Sequence, residues 1–423
     1  ASDVYKRQVL RNWGVWPVFR GGSTVRKGIM SLTRLPGHVA ISSLSGDRFS
    51  ATYRIAGDAT RARDVASHIA VEQTVEFPTD LLPSGDIPDH IVGRVTNIVG
   101  AGTAAHDVTI TYAVEIAGPD LIQLLSVVFG NVSLLPGVRL VELELHPTLA
   151  QRFRGPRFGV DGVREHVGAL RRPLLSSALK PLGLGSSDLA SVAGALARGG
   201  VDLIKDDQGL ADQVFGRFRD RVGACAEAIA QANATTGTRA AYFANVTTRA
   251  DRAFDRAHEA KALGATGLLV CPALIGLDTM RALADDDSLG LPIMSHPSFI
   301  GSHVAGPHSG MGHGLVFGTF QRLAGADISV FPSFGGRFSF TRAECQEIAV
   351  ACDAPLGALR QTLPAPGGGL TMESMPDARA TYGLNAAYLV GGGLHRAGPD
   401  LEANARAFRR MLEAPACSGA PLS

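Results

Sequence analysis

Residues 199–209, GGVDLIKDDQG, hold a short apolar run of strand formers, Val201, Leu203 and Ile204, that a glycine pair interrupts just beforehand. Lys205, Asp206 and Asp207 arrive where that strand should stop. In a parallel barrel, a strand ending in a lysine and two carboxylates puts ionisable groups at the mouth, where such folds do chemistry. Taken alone, the tripeptide reads more simply as a salt-bridged cap on a buried strand. Its neighbours reverse that preference.

Downstream of an arginine-, glycine- and proline-rich stretch at 150–163, strand-like and helix-like runs alternate as in parallel βα units. The strands are expected at 174–179, 201–205, 240–245, 267–271, 292–296, 327–331, 361–365 and 386–390. Helices are expected between them at 187–198, 211–232, 249–263 and 342–351, with Ser186 or Ser187 and Thr248 as N-caps and Gly264 as a C-terminal stop. Eight such units fit an α/β (β/α)8 TIM barrel; an open doubly wound sheet is the runner-up, because periodicity does not show closure. Upstream, 48–55, 92–99, 107–116 and 139–146 read as strands and 59–71 and 121–129 as helices, a small α+β domain. The expected organisation is an irregular leader over 1–45, the α+β domain over 46–150, a linker over 151–165, the barrel over 166–415 and a tail over 416–423. Residues 1–8 match no folded pattern, and Met30 is the candidate start.

The chain has 423 residues and a net charge of +1, which argues against nucleic acid or a membrane surface as partner. Its most apolar stretch, 121–138, is interrupted by Gln123, Asn131 and Pro136 and reads as buried structure, not a membrane span. Five scattered cysteines without a C-x-x-C pair fit a reducing, cytoplasmic setting and no disulfide framework or structural zinc.

In a barrel the strand ends meet at one face. They bring together Lys180, then Lys205 to Gln208, Asn245, His296, a loop with Arg337, and the glycine runs 367–369 and 391–393. Each has a dull reading: a solvated lysine, a satisfied histidine, plain turns. Glycine loops after strands seven and eight together are stronger, since backbone amides there form the usual barrel phosphate site. His303, His308 and His313 are five apart in a glycine-rich loop, a spacing that puts no two on one helical face and argues against a metal role.

GGVDLIKDDQG resembles the metal-site segment of ribulose-bisphosphate carboxylase and the RuBisCO-like proteins, and LKPLGL, SHP, RLAGAD, PGGG and LVGGG resemble that family's other barrel segments in order. AVEQTVEFP and SVVFGNV resemble its N-terminal active-site stretches. The resemblance implies a ferredoxin-like N-terminal domain and an obligate homodimer in which Glu72 and Asn131 complete the partner's site. It also implies Mg2+ held by a CO2-derived carbamate on Lys205, by Asp207 and by a third carboxylate, whose place Gln208 takes; Asp206 is the other candidate. Mg2+ wants oxygen ligands, and carbamylation turns the amine into one. Bound metal then stabilises an enediolate, so that a proton next to a carbonyl can leave.

Three further departures matter. Leu182 replaces a lysine, Pro297 replaces an arginine that grips one of two phosphates, and Arg337 stands where the family's lid supplies a lysine. With neutral Gln208 they argue against CO2 fixation on ribulose bisphosphate. They favour a monophosphate, cradled by Gly368, Gly369, Gly391 and Gly392, and a carboxylate forked by Arg337. The expected activity is enolisation of a phosphorylated keto sugar acid of the 3-oxo-isoapionate-4-phosphate type, with decarboxylation or carboxyl transfer and hydrolysis. Lys180 or His296 would move the proton, and Asn245 would bind substrate. The alternatives are an enolase or isomerase of methylthio-pentose phosphates in methionine salvage and a non-catalytic regulatory protein. The absence of lysine from 131–138 weighs against the methylthio enolase.

Overall fold

Alternating apolar and polar residues produce the first sheet. β1 (Arg48–Ala56) buries Phe49, Ala51, Tyr53 and Ile55 and exposes or half-exposes the residues between. β2 (Arg94–Gly100) is the sheet's edge, β3 (Ala105–Ala113) buries Val108, Ile110 and Tyr112, and β4 (Val138–Glu144) buries Val138, Leu140 and Leu143. The break in alternation between Leu140 and Leu143 has a cause. The β1–β4 register shifts between Thr52 and Tyr53, a bulge that leaves one extra residue on β4. Two helices pack on this sheet, α1 (Ala59–Glu72), whose Ala62, Ala66, Ile69 and Ala70 are buried, and α2 (Leu121–Phe129). Asp58 and Asp120 cap them, and the buried Tyr53 hydroxyl donates to the Val128 carbonyl at 2.7 Å, tying sheet to helix.

The computed structural model describes residues 35–102 and 104–414, so most of the leader, the tail and Cys417 lie outside the described residues. A single compact unit begins at Val39 and holds both the first sheet and the barrel.

The barrel strands follow: β5 (Leu174–Leu179), β6 (Leu203–Asp206), β7 (Ala241–Asn245), β8 (Gly267–Val270) and β9 (Ile293–Ser295). A two-residue strand, β10 (Gly310–Met311), leaves the barrel to pair in parallel with β4. β11 (Ile328–Pro332), β12 (Leu363–Gly367) and β13 (Ala387–Leu389) complete the set. The order β12-β11-β9-β8-β7-β6-β5-β13 is a single parallel series, which excludes the doubly wound runner-up. The ring is nearly closed: a Cβ on Gly367 of β12 would lie 3.0 Å from Leu389 of β13, although the two strands form no ladder. Every residue of β5 is buried, as parallel strands covered on both faces require. Leu203, Phe243, Leu269, Met294 and Ile328 fill the interior as a cluster separate from the outer core. Gly267 makes room for one of them, since a Cβ there would meet the Phe243 ring at 2.5 Å.

Several local expectations fail for clear reasons. Neither serine caps α3 (Ser186–Arg198); Gly185 precedes it without a side-chain bond. α4 (Phe218–Thr236) starts well after residue 211, because Gln213 and Asp212 fold the preceding segment into a loop and Asp212 accepts from the Phe218 N–H at 2.8 Å. Thr248 caps nothing: the next helical turn begins at Ala250 and α5 (Ala253–Ala262) follows, with Gly264 (φ +96°) the expected stop. The stretch read as a linker contains a helix, Gly159–His166, whose entry is pinned by Asp327 accepting from Phe158 N–H and Gly159 N–H at 2.6 and 2.8 Å.

At the barrel's opposite end Asp202, 5% exposed, receives Arg172 through both oxygens at 2.7 and 2.8 Å, Arg409 at 2.9 Å and the Leu175 N–H at 2.9 Å. Arg409 belongs to the final helix, Leu401–Glu413. Asp202→Ala should cost about 3 kcal/mol, because it strands two partly buried guanidiniums. Urea denaturation should show this as a lower midpoint with an unchanged slope.

Candidate active site

Strand alternation sorts the lysine and its carboxylates. Ile204 belongs to the outer core and Leu203 to the barrel interior, so Lys205 points inward and Asp206 outward. Asp206 is fully buried behind the strand, where it accepts from Tyr242 Oη at 2.8 Å, from the Asn245 N–H at 2.9 Å and from Arg221 Nε and Nη2 at 3.3 Å. The reading of Asp206 as a metal ligand is therefore corrected: its oxygens are taken up behind the sheet.

Lys205 is 1% exposed and donates to the Asp206 carbonyl at 2.9 Å. Its pKa is lowered to about 8, chiefly by burial and also by Lys180, against the opposing pull of Asp207. Lys180 Nζ lies 2.8 Å from Asp207 Oδ1, and the Lys180 side chain is about one-third exposed (37%) at the mouth. The Gln208 residue is exposed. His296 continues the β8–β9 ladder through its N–H to the Val270 carbonyl at 2.8 Å. Its Nδ1 accepts from the Ser298 N–H at 3.2 Å and faces Ser298 Oγ at 3.0 Å, which assigns the ring proton to Nε2. Burial, then Lys205 and Lys180, hold its pKa well below the ordinary histidine value, so the ring is a neutral Nε2–H donor.

Asn245 sits among these groups, but its amide is spent on the loop. It donates to the carbonyls of Gln208 and Leu210 at 3.0 and 2.9 Å and accepts from the Thr247 N–H at 3.1 Å. In this arrangement it fixes the segment that carries Asp207 and Gln208.

Glu72 and Asn131 meet on the N-terminal layer, with Asn131 Nδ2 donating to Glu72 Oε1 at 3.0 Å. Two residues missed from the sequence hold them there. Gln73, buried, donates to the carbonyls of Ser126 and Val127 at 2.9 and 2.6 Å and accepts from the Val132 N–H at 2.9 Å, stapling the end of α1 to the end of α2. Glu76 accepts from the same Asn131 amide at 3.2 Å from a left-handed backbone (φ +45°). Nothing in a propensity pattern signals a glutamate in that conformation.

The two glycine loops differ. Gly368 gives its carbonyl to the Arg337 N–H at 2.9 Å, a Cβ on it would touch the Phe338 ring at 3.2 Å, and one on Gly369 would strike Gly336 at 2.7 Å. Gly391 and Gly392 face open space. The exposed Arg337 guanidinium lies 5.4 Å from the Phe338 ring. His313 is buried between Arg139 Nη2 at 3.4 Å, Glu344 at 3.7 Å and the Phe340 ring.

The donor set fits a magnesium ion on one condition. Among the described residues no three His, Cys, Asp or Glu side chains gather as a metal site. Asp207 and the Gln208 amide would need a further anionic oxygen, which a carbamate on Lys205 supplies.

A barrel mouth with inward Lys205, Asp207 and His296 places the chain among (β/α)8 enzymes, and the model of the ribulose bisphosphate carboxylase large-chain catalytic domain matches residues 159–336. The chain is 36% identical over 379 residues to 5-methylthioribulose-1-phosphate isomerase of Rhodospirillum rubrum, covering 89% of this chain and 99% of that protein. It is 34% identical over 358 residues to 2,3-diketo-5-methylthiopentyl-1-phosphate enolase of Bacillus pumilus, covering 82% and 88%. The crystal structure of a Rubisco-like protein from Rhodopseudomonas palustris superimposes with a TM-score of 0.79 at 36% identity over 86% of this chain and 97% of that one. The chain belongs to the RuBisCO large-chain family, as one of its non-carboxylating RuBisCO-like members.

Only a neutral amine attacks CO2, and Lys205 is half neutral near pH 8 where an ordinary lysine is almost wholly charged. Chemical trapping of the carbamate, read by peptide mass spectrometry in bicarbonate buffer, should give a Lys205 adduct that rises through pH 8 and levels off by pH 9. A yield still climbing about tenfold per pH unit at pH 9 contradicts the lowered pKa.

Proposed function

We propose that this chain enolises or isomerises a phosphorylated keto pentose of the methylthio class by moving a proton next to its carbonyl. The observation that carries the reading is the inward set at the mouth: buried Lys205, the Lys180–Asp207 pair and a neutral His296. The substrates named for the isomerase and enolase relatives support it. They favour this alternative over the keto sugar acid expected first. That expectation hung on Arg337 as a carboxylate fork, and here the guanidinium rests beside Phe338.

Lys205 as its carbamate, Asp207 and Gln208 would hold Mg2+, which when bound supplies Lewis-acid stabilisation of charge developing on the ketone oxygen. The chain's own groups do the rest. His296 Nε2–H donates to the carbonyl oxygen, and its neutrality keeps it from competing as a cation. Lys180, held by Asp207 and open to the mouth, carries the proton to or from the adjacent carbon. The amides of Gly391 and Gly392 cradle the single phosphate, at positions where a Cβ would meet nothing within 4 Å. Glu72 and Asn131 complete the site of a second copy in a homodimer. No helix among the described residues is long and apolar enough to cross a membrane. Cys225, Cys271, Cys345 and Cys352 are buried free thiols, which supports a reducing, cytoplasmic setting.

Proton transfer is read by NMR in deuterium oxide, with 5-methylthioribulose 1-phosphate and 2,3-diketo-5-methylthiopentyl 1-phosphate as substrates. The wild type should exchange the proton next to the carbonyl, and Lys205→Ala should slow it about 10³-fold. Full turnover by that variant sinks the mechanism. Release of CO2 from a phosphorylated keto acid, with no exchange on either methylthio compound, would restore the sugar-acid reading. Chelation with EDTA should abolish exchange, and Mg2+ with bicarbonate should restore it.

A further inference from the structure

Phe299 occupies a position that the backbone reserves for glycine. The turn from Pro297 is closed by the Ile300 N–H donating to the Pro297 carbonyl at 3.1 Å, and its third residue, Phe299, takes φ +71°. Turns of this kind take glycine or asparagine there, and a bulky side chain with positive φ is an outlier that persists only where the surroundings enforce it. Yet this ring is not wedged into a core: it is 75% exposed. It lies three residues beyond His296, whose ring is held by Ser298 of the same turn.

The neighbouring loops repeat the pattern. β8, β9 and β11 are adjacent strands, and the loop after each carries a large exposed apolar side chain: Leu274 (54%), Phe299 (75%) and Phe338 (51%). Leu182, after β5, is also exposed, and its Cδ2 and the Asp207 carboxylate both come within 4 Å of where a Cβ on Gly209 would stand. In the ring β8 stands opposite β13, whose following loop holds Gly391 and Gly392. The loop after β8 therefore stands across the mouth from the Gly391–Gly392 loop, with His296 on the same side as Phe299 and Lys205, on β6, between. Pro297 brings no cation to this side, where Arg337 beside Phe338 is the charged neighbour.

We infer that Phe299, with Leu274 and Phe338 on the flanking loops, forms an apolar wall that receives the uncharged thioether end of a substrate whose phosphate lies on the Gly391–Gly392 loop. The wall sets specificity for an apolar tail over a hydroxyl or a second phosphate. The inference rests on the proposed function and adds to it the residue that selects the tail.

The test compares 5-methylthioribulose 1-phosphate with ribulose 1-phosphate, which carries a hydroxyl in place of the methylthio group. The wild type, Phe299→Ala and Phe299→Gly are each measured in full-length protein with Mg2+ and bicarbonate. The wild type should favour the methylthio compound, and both variants should lose about tenfold or more of that preference in kcat/KM, mainly through KM. Phe299→Gly should do so with an unchanged or higher Tm, since it removes the left-handed strain. Calorimetric Kd values for the same two compounds should show the same loss of discrimination. Equal losses on both compounds overturn the wall, as does a variant that falls apart into monomers by sedimentation, because Phe299 then packs against a second copy. If the wild type turns over neither of these compounds nor 2,3-diketo-5-methylthiopentyl 1-phosphate, the proposed function fails on its own, and equal calorimetric affinities for the two overturn the wall separately.

Discussion

The buried contact between Asp206 and Arg221 governs this molecule's chemistry from behind. A carboxylate and a guanidinium with no solvent exposure are costly unless each is fully partnered. Here Tyr242, the Asn245 N–H and two guanidinium nitrogens all converge on Asp206. That arrangement fixes the end of β6 in both position and facing. Because consecutive side chains alternate, anchoring Asp206 outward leaves Lys205 no direction but inward. The strand then separates two electrostatic environments. Behind it, burial and the Asp206 charge push the Cys225 thiol up to about 12 and the Tyr242 hydroxyl well above its ordinary value. In front, burial and the lysines push Lys205 and His296 down.

Much of this was legible in the amino acids, and the reason is burial. Barrel strands covered on both faces become short unbroken apolar runs, so 174–179 is the same strand in sequence and structure. The strand ends carried the ionisable groups because a charge among the apolar side chains deeper in the barrel is costly. What escaped was anything decided by facing or by backbone sign. Asp206 and Asp207 look alike in a string, and only the strand's two-residue period sends them to opposite sides. Asn245 looks like a ligand-binding amide until its hydrogens are seen to be spent on Gln208 and Leu210. Gln73, Glu76 and Phe299 carried no signal, since a buried staple and two left-handed non-glycine residues break local rules that sequence reading relies on.

The glycine-rich loops show the same dependence on context. PGGG and LVGGG are nearly identical strings, yet the first is packed against the Arg337 loop, whereas Gly391 and Gly392 of the second open onto space and only Gly393 packs, against Leu370. Gly369 has no room for a Cβ beside Gly336, and the Arg337 N–H donates to the Gly368 carbonyl at 2.9 Å, so the segment bearing Arg337 and the loop after β12 are packed backbone to backbone.

The sheet formed by β1 to β4 borrows its last strand, β10, from the middle of the barrel. Arg139 of β4 reinforces the loan by donating to the carbonyls of Gly306 and Ser309. During synthesis β4 emerges long before β10, so the part of its outer edge that β10 covers, at Arg139 and Leu140, waits unpaired until five barrel strands have been made. A nascent chain in that interval carries an open template for pairing with its neighbours, and speed of elongation through the barrel's first half becomes a condition for escaping aggregation.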